Sequence, residues 1–204
     1  MTLVIAHRGA SWDAPENTVA AFELAVDQGA DYVEFDVRVA PDGTLVVAHD
    51  RVRGPPPPSV PTLDETIAVL AGRIGLALEI KEPAATERTL ALLERHGVAG
   101  EAVMILSFRI RALEQVRRLR SDLRLVLHLG LRPDPAAAGR FWGVGFEDAA
   151  ARPRRIAAAR GLGLATTVYT VNDPARMTEL ASLGVDGIFT DRPGLLRDTL
   201  RRTA

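Results

Sequence analysis

Short runs of β-branched and aliphatic residues alternate with helical patterns along almost the whole chain. The runs predict strands at 3–6, 32–39, 76–81, 102–108, 124–129, 142–146, 165–171 and 187–190. A further short strand at 45–49 is turned back on the second by Pro41-Asp42-Gly43. Helical patterns occupy 17–29, 62–72, 84–96, 109–120, 148–161, 174–183 and 193–202. Alanine blurs their apolar faces, but their ends are marked. Thr62 with Glu65 forms a capping box, and Gly97, Gly161 and Gly184 stand where helices should stop.

Eight strands, each followed by a helix or helical turn, predict a parallel sheet with right-handed crossovers. A closed (β/α)8 TIM barrel is the simplest solution, and a doubly wound open sheet is the alternative. The connection between the fifth and sixth strands spans only 130–141, so any helix there is short. A chain of 204 residues and 22.0 kDa suits one domain over 1–204. No internal repeat is evident. Arg53-Gly54-Pro55-Pro56-Pro57-Pro58-Ser59 reads as a stiff polyproline connector, too short to link domains.

Composition narrows the chemistry. Hydrophobic residues make up 47% and charged residues 25%, the balance of a globular protein. A net charge of −1 offers no basic field for nucleic acid or an anionic membrane. No window approaches 18 uncharged apolar residues, so no membrane insertion is expected. The absence of cysteine excludes disulfide scaffolds, thiolate metal sites and cysteine nucleophiles. The first eight residues show no basic segment leading into a long apolar stretch, so no signal peptide is read and a cytoplasmic location is expected. Of 25 basic residues only Lys81 is lysine, which stands there either by chance or for a compact ammonium that arginine does not mimic.

Polar residues gather at the predicted strand ends, where a barrel places its active site. The first strand runs into His7-Arg8-Gly9. The second carries Glu34 and Asp36 two residues apart, hence on one face. The hairpin strand ends in His49-Asp50, and the third carries Glu79 and Lys81. Three carboxylates converging in a barrel mouth are costly to desolvate unless positive charge offsets them. Two arrangements meet that need: a hard cation, Mg²⁺ or Ca²⁺, held by Glu34, Asp36 and Glu79, or a network in which Arg8, Arg38 and Lys81 neutralise the acids. His7 and His49 at strand ends suit general acid–base work on a phosphate ester, with Arg8 and Lys81 as phosphate donors. His96, before Gly97 at a helix end, is read as structural. His128 either faces the mouth or is a satisfied strand histidine, and the second reading is favoured.

His7-Arg8-Gly9, Ala14-Pro15-Glu16-Asn17-Thr18, Glu34-Phe35-Asp36, Asp42-Gly43, His49-Asp50, Glu79-Ile80-Lys81, Ser107-Phe108 and Thr190-Asp191-Arg192-Pro193 occur in one order over about residues 3–196. In this combination the chain resembles the glycerophosphodiester phosphodiesterases. The resemblance implies a (β/α)8 barrel and metal-dependent hydrolysis of small glycerophosphodiesters to an alcohol and sn-glycerol 3-phosphate, in the turnover of phospholipid head groups. It implies His7 and His49 as the acid–base pair and Glu34, Asp36 and Glu79 as ligands of a divalent cation, Mg²⁺ or Ca²⁺. Arg8 and Lys81 would hold the phosphate. Asn17 stands near the site or caps a helix, Glu16 orients Arg8 or caps, and Asp50 positions His49.

Two departures stand out. Only 51–60 separates His49-Asp50 from Pro61-Thr62-Leu63, where many members carry a larger insertion, so the site is expected to be more open. Tyr169 stands where the family usually has tryptophan, and serves either as an aromatic wall for substrate or in barrel packing. Rival readings are a phospholipase-type phosphodiesterase for lysophospholipids or other bulkier diesters, a lyase or aldolase with Lys81 as Schiff-base nucleophile, and a barrel that binds phosphodiesters without turnover.

Overall fold

The computed structural model describes residues 1–130 and 134–203. Nine strands lie in one sheet: β1 (Leu3–Ala6), β2 (Tyr32–Val39), β3 (Leu45–Val47), β4 (Gly75–Ile80), β5 (Val103–Ser107), β6 (Arg124–Leu129), β7 (Gly143–Glu147), β8 (Ala165–Tyr169) and β9 (Gly187–Thr190). All except β3 are parallel neighbours in chain order, and β1 pairs with both β2 and β9, so eight strands close into a barrel. β3 lies outside the ring, antiparallel to β2, with Val37 opposite Val47. The closed barrel replaces the open sheet as the solution.

The helices of the described residues are α1 (Val19–Asp27), α2 (Leu63–Leu70), α3 (Thr86–Arg95), α4 (Ile110–Leu119), α5 (Pro153–Gly161), α6 (Pro174–Ser182) and α7 (Pro193–Thr203). Strand residues with one parity, such as Val33, Phe35, Leu78 and Leu127, pack outward against them in the main core. The opposite parity fills the barrel with Ile5, Tyr32, Ala77, Met104, Leu106, Val126 and Phe189. Extending that inward register one pleat toward the carboxyl ends reaches His7, Glu79, His128 and Asp191. The site is therefore the continuation of the barrel's own interior.

Local chemistry moves several predicted boundaries. The capping box at Thr62 forms as read. The hairpin strand ends at Val47, and Ala48 instead donates its N–H to the Asp36 carbonyl. Ala102 belongs to a 3₁₀ turn ahead of β5. The run 148–161 splits into a 3₁₀ turn at Asp148–Ala150 and α5, because Pro153 starts a helix and holds Arg152 extended before it. Gly161 stays helical, and the left-handed residue that follows is Gly163. Among the described residues the connection between β6 and β7 holds one 3₁₀ turn, Pro135–Ala138; residues 131–133 of that predicted connection lie outside the described residues. No helix of the described residues is long and apolar enough to cross a membrane.

Candidate active site

The mouth of the barrel is built on the turn after β1. Arg8 adopts a left-handed conformation (φ 56°), which aims its backbone N–H at Glu34 Oε2, 2.9 Å away. Gly9 follows at φ 85°, and a Cβ there would lie 2.7 Å from the backbone of Ala21 in α1. Only glycine permits both that dihedral and that approach.

Glu34, Asp36 and Glu79 are buried and each offers an oxygen within 4.8 Å of the others. Lys81 Nζ lies 2.6 Å from Asp36 Oδ1 and 2.7 Å from Glu79 Oε1. Arg8 Nε faces Asp36 at 3.3 Å, while its Nη1 donates to both oxygens of Glu16. Arg38 is not part of this neutralising set. It pairs with Glu82 at 2.6 Å and donates Nε to the His49 carbonyl, which sets the loop carrying that histidine.

The charges are unevenly compensated. Burial pushes Asp36 up, but Lys81, Asn17 and Arg8 together hold it below its usual value. Burial raises Glu79 more than Lys81 lowers it. Glu34 makes no ion pair among the described residues; burial and the neighbouring Asp36 and Glu79 charges raise it well above the ordinary range, against the smaller opposing pull of the Arg8 N–H and Lys81. A buried, hard-oxygen trio with one uncompensated member is the donor set that suits Mg²⁺ or Ca²⁺, and these residues fit such an ion.

Both predicted histidines are held through Nδ1. His7 Nδ1 lies 2.7 Å from Asp191 Oδ1. Asp191 also accepts from Ser11 Oγ at 2.9 Å and from the Asn172 side chain, and although burial opposes it, His7 and these donors hold its carboxyl below the usual value. His49 Nδ1 lies 2.9 Å from Asp50 Oδ1, on a more exposed loop. Each pairing leaves Nε2 free for chemistry. Asn17 does not cap α1, since Thr18 accepts from the Ala21 N–H in that role. Asn17 is buried instead and donates Nδ2 to Asp36 Oδ2 at 2.9 Å, which orients the carboxylate.

His96 is structural as read: its Nε2 lies 2.7 Å from Asp64 on α2. His128 departs from the favoured reading. Its side chain is 4% exposed, yet neither ring nitrogen has a hydrogen-bond partner. Nδ1 stands 4.0 Å from Glu79 Oε2. The ring stacks on Tyr169 with centroids 4.5 Å apart, and meets Phe108 and Phe189 edge-on. Burial, then Lys81 and His7, lower its pKa to about 3, so the imidazole is neutral at ordinary pH. Tyr169 is itself half-buried: its hydroxyl donates to the Leu129 carbonyl at 2.7 Å and one face carries His128. Tyr169 thus stands in the mouth with one face packed on His128.

Sequence reading did not assign Asp191, Asn172 or Ser11. Asp191 carried a signal, since it follows the last strand at the same register as the other polar residues. Asn172 and Ser11 sit in loops and had none.

A model of the "Glycerophosphoryl diester phosphodiesterase family" matches residues 7–71 and 57–195. A glycerophosphodiester phosphodiesterase of Caldanaerobacter subterraneus subsp. tengcongensis is 28% identical over 98% of each chain. The crystal structure of a glycerophosphodiester phosphodiesterase from Agrobacterium tumefaciens is 32% identical, covers 96% of this chain and 99% of that one, and superposes with a TM-score of 0.82. A phosphodiesterase from Oleispira antarctica, solved in complex with the product sn-glycerol-3-phosphate, shares the fold at a TM-score of 0.89 and 24% identity over 98% and 97% of the two chains.

Proposed function

This chain belongs to the glycerophosphoryl diester phosphodiesterase family, and on that premise we propose that it cleaves glycerophosphodiesters to an alcohol and sn-glycerol 3-phosphate with His7 and His49 as its acid–base pair. The observation that carries the reading is the buried trio Glu34, Asp36 and Glu79 in the same mouth as two histidines, each held through Nδ1 by a carboxylate.

The chain's own residues divide the work. Asp191, kept ionised, holds the proton of His7 on Nδ1 and turns Nε2 toward the mouth. Asp50 does the same for His49. One Nε2 takes the proton of the nucleophile as the new P–O bond forms, and the other, protonated, gives a proton to the alcohol oxygen as the old P–O bond breaks; the nucleophile is either water, which gives sn-glycerol 3-phosphate directly, or the glycerol 2-hydroxyl, which gives a cyclic phosphate that water then opens. Arg8 Nη2, which makes no hydrogen bond to a described residue, and Lys81 offer positive charge to the phosphate oxygens. A divalent cation held by Glu34, Asp36 and Glu79 would withdraw further charge from the phosphate when bound.

The test is release of sn-glycerol 3-phosphate from glycerophosphocholine and glycerophosphoethanolamine with Mg²⁺, with Ca²⁺ and with EDTA. Cation-dependent release is expected, and the better ion identifies the working metal. His7→Ala and His49→Ala should each abolish turnover in folded protein; retained activity removes that residue from the pair. A lysophospholipid in the same assay tests the bulkier substrate class. A groove of about 360 Å³ beside Lys81, bordered by Arg109 and the exposed Phe108, gives such a substrate a place to extend.

A further inference from the structure

His128 is a buried polar group in the barrel mouth that the proposed chemistry leaves unused. Its place is set by register: on β6, Arg124, Val126 and His128 point into the barrel, and His128 is the last of them, level with Glu79 across the mouth. Room for the ring comes from β7, where Gly145 stands beside it and any Cβ would overlap it.

A neutral imidazole carries one N–H donor and one acceptor nitrogen, and here both are unpartnered. Burying them without partners is unfavourable, so a native site is expected to supply partners. The walls include Tyr169, Phe108 and Phe189, whose rings offer no such group; the Tyr169 hydroxyl is already spent on Leu129, and the Thr167 hydroxyl, which borders Gly145 on the same side, donates to the Val144 carbonyl. Glu79, at 4.0 Å, lies beyond hydrogen-bond distance. A hydroxyl of a bound molecule meets the requirement, because it donates to one kind of nitrogen and accepts from the other. Resting on the proposed function, we propose that His128 hydrogen-bonds a hydroxyl of the glycerol moiety and so selects the glycerol end of the substrate. Tyr169 stacks on the ring and holds it in plane for that contact. This role is one of specificity; His128 takes no part in the proton transfers.

Calorimetric binding to the cation-saturated protein separates this contact from catalysis. The ligands are sn-glycerol 3-phosphate, propane-1,2-diol 1-phosphate, propane-1,3-diol 1-phosphate and inorganic phosphate; each diol phosphate lacks one of the two glycerol hydroxyls. The native protein is expected to bind one diol phosphate at least about tenfold more weakly than sn-glycerol 3-phosphate. His128→Leu should weaken sn-glycerol 3-phosphate by a similar factor and bind that diol phosphate as the native protein does. Undiminished discrimination in His128→Leu, or equal binding of all three alcohol phosphates by the native protein, overturns the assignment. Independently of any variant, the His128 imidazole ¹⁵N resonances of the native protein should move with sn-glycerol 3-phosphate and stay in place with inorganic phosphate. Unmoved resonances at saturation would also overturn it. Should the native protein neither bind sn-glycerol 3-phosphate nor release it from any glycerophosphodiester, the functional reading itself fails, a result distinct from loss of discrimination alone.

Discussion

His7 and Asp191 stand 184 positions apart in the chain and 2.7 Å apart in space. Barrel closure makes them neighbours, because β1 pairs with β9 in a register that sets Ala6 beside Thr190. The next residue of each strand then faces the other across the mouth. Asn172 reinforces the arrangement: its Oδ1 accepts from the Asp191 N–H and the Thr190 hydroxyl, each at 2.9 Å, while its Nδ2 donates to the Asp191 carboxylate.

Asp191→Asn removes the charge that keeps the proton on His7 Nδ1. The expected outcome is a fall in kcat of about 10²-fold or more with KM little changed. Steady-state kinetics on glycerophosphocholine checks this. A purely structural Asp191 would show a lowered Tm in place of that kcat effect.

Among the described residues Glu34 is the member of the trio that makes no ion pair, and in cation-free protein its burial works against the fold. Its folded pKa lies above the ordinary 4.5, so its contribution is unpenalised below 4.5 and declines as pH rises through the folded value. In EDTA at pH 8, Glu34→Gln should therefore melt a few degrees above the native protein. Added Mg²⁺ or Ca²⁺ should raise the native Tm and leave the variant unmoved. A variant that still responds to the cation would remove Glu34 from the ligand set.

His128 has the opposite pH signature. Its pKa falls from 6.5 to about 3 on folding, so the unfolded chain binds the extra proton between those values. The stability it permits is complete above pH 6.5 and is lost progressively as pH falls toward 3. Thermal melts in EDTA from pH 7 to pH 4 should thus decline more steeply for the native protein than for His128→Leu. Parallel declines would show that His128 is more solvated than its 4% exposure implies.

Gly145→Ala places a methyl group where the His128 ring lies, and Tyr169, Phe108 and Phe189 pack around that ring. Overpacking of this kind costs about 1–3 kcal/mol. Chemical denaturation should show the loss, and substrate binding should weaken with it. The double variant Gly145→Ala with His128→Ala, which removes the obstructing ring, should regain part of the stability.

The strand and helix order was legible in the chain because hydrophobic period and capping chemistry are local: β1, β2, β6 and β9 begin and end where the alternation says, and Thr62 with Glu65 caps α2 as read. The residues placed in the mouth were legible for a related reason. A strand's two-residue period puts Glu34 with Asp36 on one face, and the motif order supplied the rest. Local pattern could not say which acid lacks a counter-charge, that Arg38 turns away to Glu82, or that Thr18 and not Asn17 caps α1. Those outcomes depend on which groups barrel closure brings within hydrogen-bond distance. Asp191 and His128 show this most clearly. Sequence alone determined that a carboxylate follows the last strand and that a histidine stands one residue before the end of the fifth barrel strand. Only the tertiary structure decided that the first meets His7 and that the second is enclosed by aromatic rings with no partner, because hydrogen bonding and desolvation depend on neighbours in space.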